Sequence, residues 1–570
     1  MGVPAAHRPP RGASPGPDAD PGAGTVVPTA GTPTAGYPAG AGRWLTLTVL
    51  CVSVLIISLD NTVLNVALPT LVRDLHASSS QLQWVVDAYA VVFAGLLLVI
   101  GSLGDRLGRK WVFLAGLGVF ATGSAASAFS GSTDALIASR AFMGIGAAAI
   151  MPSTLSILTN VFTRPDQRAR AIGIWSGTTG LGVALGPILG GWLLAHFWWG
   201  SVFLINVPIA AVGGVAALWL VPNSKNPASK RSDPLGAVLS IAGMGLLLWG
   251  IIEAPGRSWS SPLVIGAIVA AIILLAAFVL WEQRCTHPMI EVSFFRSRRF
   301  SVAMAAMAMV IFALMGGLFL LTQYLQFSLS YSPFQTGLRI APIAAVLLVV
   351  APLSTVVDGW VGSKPVVAGG MAMIATGLVL LARTTVHGTY DQALPGFFLL
   401  GIGTGFAFAP SPEAVMGSLP LERAGVGSAI NSAALQTGGA LGVGVLGSLL
   451  NTRYQSHLAP TLAHAAIPPS VRDVILGSVG GALAVAQHAG GTLGAELASV
   501  ARQSFMSGMD LAMLVGALVV AAAGVVVLVL LPNRRPVGPD GGASLEGPAG
   551  PVGPDDPDGS RASGVPTTAP

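Results

Sequence analysis

The stretch "GSLGDRLGRK", residues 101–110, sets four charges within ten residues of a chain in which only 9% of residues are charged. An apolar run ends just before it, and another starts at Trp111. Long oily segments joined by short charged turns recur along the whole sequence. The 570 residues are 53% hydrophobic with a mean hydropathy of +0.73, more apolar surface than one globular core can hide. A bilayer removes that difficulty, because its hydrocarbon core, about 30 Å thick, is crossed by roughly 20 apolar residues of helix. The expected fold class is therefore an all-α integral membrane protein.

Fourteen candidate spans fall at about 44–68, 82–103, 111–130, 134–159, 170–194, 200–221, 235–254, 262–281, 300–328, 334–357, 365–384, 393–413, 424–450 and 509–532. Residues 1–43 and 533–570, rich in Gly, Pro and Asp, are expected to be disordered tails, and 1–43 hold no apolar stretch of the signal-peptide kind. The segment 452–507 is expected to be an external loop with surface helices. Its most apolar part, "VILGSVGGALAVAQ" (474–487), is too short to cross comfortably.

Charge tests this count. An even number of spans puts both termini on one side. That side collects Arg106, Arg109, Lys110, Arg164, Arg168, Arg170, Lys225, Lys230, Arg231, Arg284, Arg296, Arg298, Arg299, Arg534 and Arg535. The other side keeps Arg73, Arg257, Arg383, and Arg453, Arg472 and Arg502 spread along 452–507. Such asymmetry places both termini and the 101–110 turn in the cytoplasm, with the protein in the cytoplasmic membrane. The net charge of +5 is scattered through loops without a continuous basic stripe, so nucleic acid is not an expected partner. Cys51 and Cys285 lie on different elements and the eight histidines are dispersed, so neither a disulfide nor a metal site is expected. No G-x-x-x-x-G-K-[ST] is present, and "GIGAAA" (144–149) lies inside a span with no preceding strand; no nucleotide cofactor is expected.

Ionisable residues inside spans are costly and invite a functional reading. Asp60 lies about eight residues from the outer end of span one, Asp87 about six into span two, and Arg140 about six into span four. At 1.5 Å per residue all three sit roughly 9–12 Å below the outer edge. Three charges at one depth suggest a polar cluster in the first half of the chain. A buried carboxylate is hard to ionise and a neighbouring arginine favours ionisation, which suits a reversible proton site. Asp60 is the expected coupling acid, Arg140 its tuning partner and Asp87 a second acid near the substrate path. Glu253, Asp358 and Glu413 fall at span ends, where solvation is easy. Asn65 and Asn431 lie in or near spans and could hydrogen-bond substrate, but they read first as hydrogen-bonding glue between helices.

With these residues placed, the sequence resembles the major facilitator superfamily, and within it the fourteen-span drug:proton antiporters. "GSLGDRLGRK" matches the family's charged-turn signature, with Gly101, Asp105, Arg106, Gly108, Arg109 and Lys110 in register. "SLDNTVLNVALP" (58–69) is similar to the first-span motif, and "LIASRAFMGIGAAA" (136–149) to the fourth-span motif built around an Arg, here Arg140. "GIWSGTTGLGVALGPILGG" (173–191) resembles the fifth-span antiporter motif through Gly173, Gly182, Gly186, Pro187, Gly190 and Gly191. "DGWVGSK" (358–364) looks like a degenerate second copy of the charged turn, lacking its first arginine. "AGVGSAINSAALQTGGALG" (424–442) resembles the thirteenth span, with Leu435 where an Arg is common.

The resemblance implies two six-helix bundles, 44–221 and 300–532, joined by a linker (222–299) holding an extra pair of spans. It also implies that the 101–110 turn is a cytoplasmic latch made and broken during alternating access. The implied activity is export of hydrophobic, cationic drugs or antibiotics by a monomer driven by the proton gradient, with the bilayer, protons and a small hydrophobic substrate as partners. A dedicated exporter of one metabolite made by the same cell would use the same machinery. An integral-membrane enzyme would instead need clustered His, Cys or paired acids at one membrane face, which the sequence lacks.

Overall fold

The structure, a computed structural model, describes residues 41–225, 233–286, 288, 290, 292–408, 424–463 and 467–532. Of the expected tails, residues 1–40 and 533–570 lie outside the described residues, as do Glu413, Lys230 and Arg231, whereas residues 41–43, expected to be disordered, open the first helix. Among the described residues there are helices and no strands. Thirteen of the helices are long and apolar enough to cross a membrane.

The first bundle comprises α1 (Ala41–Leu75), α2 (Ser79–Leu107), α3 (Arg109–Ala128), α4 (Thr133–Val161), α5 (Pro165–His196) and a sixth span in two pieces, α6 (Ser201–Leu204) and α7 (Asn206–Leu220). Helices α8 (Pro234–Arg257) and α9 (Pro262–Arg284) are the extra pair. The second bundle holds α10 (Arg298–Gln323), continued by a π turn over Tyr324–Ser328, then α11 (Pro333–Val361), α12 (Ser363–Ala382) and α13 (Tyr390–Phe408). It is completed by α14 (Ala424–Ala463), α15 (Pro469–Gly477), α16 (Val479–Ala489) and α17 (Gly491–Leu530). Helix α13 corresponds to the span expected at 393–413, of which residues 409–413 lie outside the described residues, and it packs along α11 and α12.

The internal repeat is visible in how helices start and stop. Both α2 and α11 open on a capping box, Ser78 with Gln81 and Ser332 with Gln335, which satisfies amide groups the first turn leaves free. Both end at one glycine with positive φ, Gly108 at 117° and Gly362 at 87°, after which the next helix begins at once. Only glycine takes that conformation without strain, so each junction is a one-residue corner.

Two seams join the bundles, α5 against α11 and α2 against α14, and α8 leans on the second seam from outside. Along the α5 stripe that faces α11, contact fades from one end of the molecule to the other. A Cβ on Gly191 would lie 2.6 Å from the Pro333 carbonyl, and one on Gly337 would strike the Pro187 carbonyl. Further along, Gly180 meets only Leu348 Cδ2 at 3.8 Å, and Gly177 and Gly173 meet nothing within 4 Å. The two helices thus touch at one end and splay toward the end that carries the 101–110 turn.

The described residues of the segment 452–507 are nearly all helical. At 1.5 Å per residue the 40-residue helices α14 and α17 are each about 60 Å long, twice the hydrocarbon core, so both project beyond it. Helices α15 and α16 fold between those projections at the closed end. Tyr454 donates its hydroxyl proton to the Ile475 carbonyl at 2.8 Å, and Gly480 sits against Val72 of α1 and Phe327 of the second bundle.

Candidate functional site

Arg140 and Asp60 meet in the core of the first bundle, with Arg140 Nη1 donating to Asp60 Oδ2 at 2.5 Å and both side chains 1% exposed. Arg140 Nε donates to the Val85 carbonyl of α2 at 3.1 Å, and its guanidinium lies 4.4 Å from the centre of the Tyr89 ring. Asp60 Oδ1 accepts from Asn206 Nδ2 at 3.2 Å, and the same amide donates to Ser124 Oγ at 3.3 Å. One ion pair therefore draws together α1, α2, α3, α4 and α7.

Removing two charges from water costs several kcal/mol per ion, and a buried pair often gains little over well-packed apolar residues. A pair kept at this depth is better explained by what its breaking would do. Loss of the Asp60 charge would release Arg140, and Arg140 holds a backbone carbonyl of α2, one of the two helices that form the α2–α14 seam.

Asp87 does not join this cluster, although its depth matches. Its neighbours on α2 show why: Val85 and Tyr89 turn toward Arg140, whereas Gln83 and Asp87 turn toward α14. Asp87 is fully buried, neither of its carboxylate oxygens has a hydrogen-bond partner, and Oδ2 would lie 3.4 Å from a Cβ on Gly444. One turn away, Ser448 Oγ donates to Gln83 Oε1 at 3.3 Å across the same seam.

The glycines of α5 divide between two partners. Gly182, Gly186 and Gly190 face α1, where an added Cβ would meet Ser58, Thr62 and Val63, and Gly191 faces α11. Gly173 and Gly177 have the same four-residue spacing but no neighbour within 4 Å, so close approach is confined to one end of the helix. Pro187 presents its carbonyl to Gly337.

At the opposite end, the 101–110 turn is tied into the first bundle. Asp105 pairs with Arg109 of its own turn at 2.6 Å, rather than with an arginine of a neighbouring turn. Arg109 Nη1 donates to the Ser156 carbonyl at 3.4 Å, Lys110 Nζ to the Leu218 carbonyl at 2.7 Å, and Gly101 packs on Pro152. Arg106 is exposed. Of the span-end acids, Glu253 pairs with Arg257 at 3.6 Å, and Asp358 Oδ1 has no partner.

Residues 50–443 match the family model of the Major Facilitator Superfamily. The chain belongs to the major facilitator superfamily. It is a secondary transporter and not an enzyme. Among its superfamily relatives, the tetracenomycin C resistance and export protein of Streptomyces glaucescens is 35% identical over 87% of this chain and 93% of its own length. The multidrug efflux pump LfrA of Mycolicibacterium smegmatis is 34% identical over 85% of this chain and 95% of its own. The fold is shared with a bacterial homologue of the human lysosomal transporter Spinster, with a TM-score of 0.59 at 17% identity, over 88% of this chain and 100% of that one.

Within this superfamily member, sequence reasoning found the ion pair but missed Asn206. A neutral amide at the start of the sixth span carries no charge signal and reads as a helix end. Its one hint was position: it follows "FLI" directly, where an unpaired amide would be costly inside a membrane.

Proposed function

We propose that the protein exports hydrophobic drugs or antibiotics, lipophilic cations among them, across the cytoplasmic membrane in exchange for protons. The ion pair between Asp60 and Arg140 carries this proposal, and the names of the curated relatives support the cargo. Asp60 is the coupling acid. When it takes a proton the pair loses its Coulomb attraction, Arg140 is freed, and the hold on the Val85 carbonyl slackens. Helix α2 can then shift against α14, where Asp87 serves as a second acid on a seam that must part. The glycine face of α5 keeps the bundles close enough to prevent leak while they rock, and Pro187, which lacks an amide donor, lets the helix bend.

In this proposal both termini and the 101–110 turn lie in the cytoplasm, following the excess of Arg and Lys on that side. The conformation described here is then sealed outside and splayed toward the cytoplasm. The protein works as a monomer, with the proton gradient as its energy source and no bound cofactor.

The test is substrate-triggered proton movement in vesicles holding the purified protein, a pH dye inside and ethidium or another lipophilic cation outside. Wild type is expected to move protons when substrate is added, and Asp60→Asn to bind substrate without proton flux. Flux that survives in Asp60→Asn would remove Asp60 as the coupling acid.

A further inference from the structure

A small chamber lies directly beneath the closed end, between the bundles and just inside the contact of Pro187 with Gly337. Its space of about 20 Å³ suits one water-sized group. The walls are apolar, among them Val66 of α1, Val183 of α5, Leu314 of α10 and Ile343 of α11. Two buried polar atoms in its lining have no hydrogen-bond partner, Asn65 Oδ1 from the first bundle and Thr404 Oγ1 from the second. The residues are 4% and 2% exposed.

The other polar groups of the lining are spoken for. Thr62 donates to the Ser58 carbonyl and Asn65 Nδ2 to the Asn61 carbonyl, both at the normal length for a helix side chain bonding back one turn. Buried threonines of the second bundle do the same, Thr322 to Leu318 and Thr384 to Leu381, whereas Thr404 does not. A buried acceptor left unpaired costs about 1–3 kcal/mol, so two in one apolar space call for a partner from outside the chain. Asn65 Oδ1 only accepts, so that partner must donate. No charged side chain lines the chamber: Asp60 is engaged by Arg140, and Asp87 lies in the other seam. An ammonium or other full charge would therefore be desolvated here with no counter-ion.

We propose that this chamber receives the hydroxyl or amide N–H end of an uncharged lipophilic substrate, held between Asn65 and Thr404, while the apolar body of the substrate lies in the splay below. The inference rests on the drug-export proposal and narrows its substrate class. Because one polar atom comes from each bundle, a substrate that satisfies both also holds the bundles together at the sealed end.

The experiment compares 2-(hydroxymethyl)anthraquinone with its methyl ether, which keeps the shape and loses the donor, and with ethidium as a cationic comparator. Binding to purified protein in detergent is read by tryptophan quenching, and export by dye or quinone loss from loaded cells. Wild type is expected to bind the alcohol about tenfold more tightly than the ether. Asn65→Leu and the near-isosteric Thr404→Val should each lose most of that difference, and each should weaken binding of the alcohol by a larger factor than binding of the ether or of ethidium. Equal binding of alcohol and ether by wild type, or an advantage that survives in both variants, overturns the chamber proposal and leaves drug export standing on ethidium. Failure of wild type to move all three compounds overturns the export proposal and this one with it.

Discussion

The two bundles begin from one plan and diverge in charge. In the first, the Gly108 corner carries Asp105 paired with Arg109 at 2.6 Å, and the core holds Asp60 with Arg140. In the second, the Gly362 corner has the same backbone sense, but Gly359 stands where Arg106 would be and Ser363 where Arg109 would be, and Asp358 Oδ1 is unpartnered. No ion pair joins two described residues of the second bundle. The shared corners show that glycine geometry suffices to build the repeat, and charge is not needed for it. The extra charge of the first bundle is thus free to serve another end, and in the proposed mechanism that end is switching, with the second bundle as the wall against which the first moves.

The hardest way to break this comparison is to remove one half of the buried pair. Arg140→Leu leaves the Asp60 carboxylate buried with only the Asn206 amide, and a loss of about 3–5 kcal/mol is expected, seen as a large drop in the melting temperature of purified protein. Removing both charges, Asp60→Leu with Arg140→Leu, should restore most of that stability and no transport. A double variant that transports would show that the pair is only structural. By contrast, Gln436→Leu, in α14 of the second bundle, should leave proton coupling intact.

The seam between the bundles gives the next largest effect. In Gly337→Ala the new methyl group would overlap the Pro187 carbonyl, and backbone cannot yield cheaply. Overpacking of this kind costs about 1–3 kcal/mol, all of it against the sealed state. A cysteine placed at Phe334 should then react faster with a membrane-impermeant maleimide, by roughly five- to a hundredfold if the cost falls wholly on closure. Gly177→Ala, with open space around it, should leave the labelling rate unchanged. Equal labelling in the two variants would mean that the splay along α5 is not the moving element.

Much of this was legible in the sequence, and what was not had a physical reason. Hydropathy marked the spans because each needs enough apolar length to cross. It underestimated α14 and α17, because Asn451, Arg453 and Gln455 in the one and Glu496, Arg502 and Gln503 in the other lower hydropathy without breaking a helix. Depth counting found Asp60 and Arg140. It could not show that Asp87 points the other way, since depth gives a level and not an azimuth, and only contact with α14 fixes which face of α2 is which. The same limit applies to the α5 glycines, whose even spacing hid their division between α1 and α11.

The charged corner itself offers a smaller effect that separates insertion from turnover. Asp105→Asn removes a partly exposed pair, side chains 30% and 13% exposed, so a change in stability of only about 0.2–1 kcal/mol is expected. If the pair acts as a latch, ethidium efflux should fall several-fold while the amount of protein in the membrane stays level. Unchanged efflux would leave the corner a purely topological role.

The finest test rebuilds in the second bundle what the first possesses. Ser363 occupies the place of Arg109, one residue past the positive-φ glycine and five after Asp358, where Arg109 is four after Asp105. The extra residue, from the longer run "DGWVG", lies before the corner and sets Asp358 one residue further back along α11, about 100° round that helix from the place Asp105 takes on α2. Ser363→Arg alone should therefore pair poorly with Asp358 and add no more than a few tenths of a kcal/mol. Deleting Gly359 in the same chain would restore the four-residue spacing, and with it a partly exposed pair across the corner worth up to about 0.5 kcal/mol. A rise in melting temperature only in the combined variant, lost at high salt, would show that the second corner lost its pair through spacing as well as through composition. If the first corner acts as a latch, a slower transporter would follow as well, because a second latch would then have to open in each cycle.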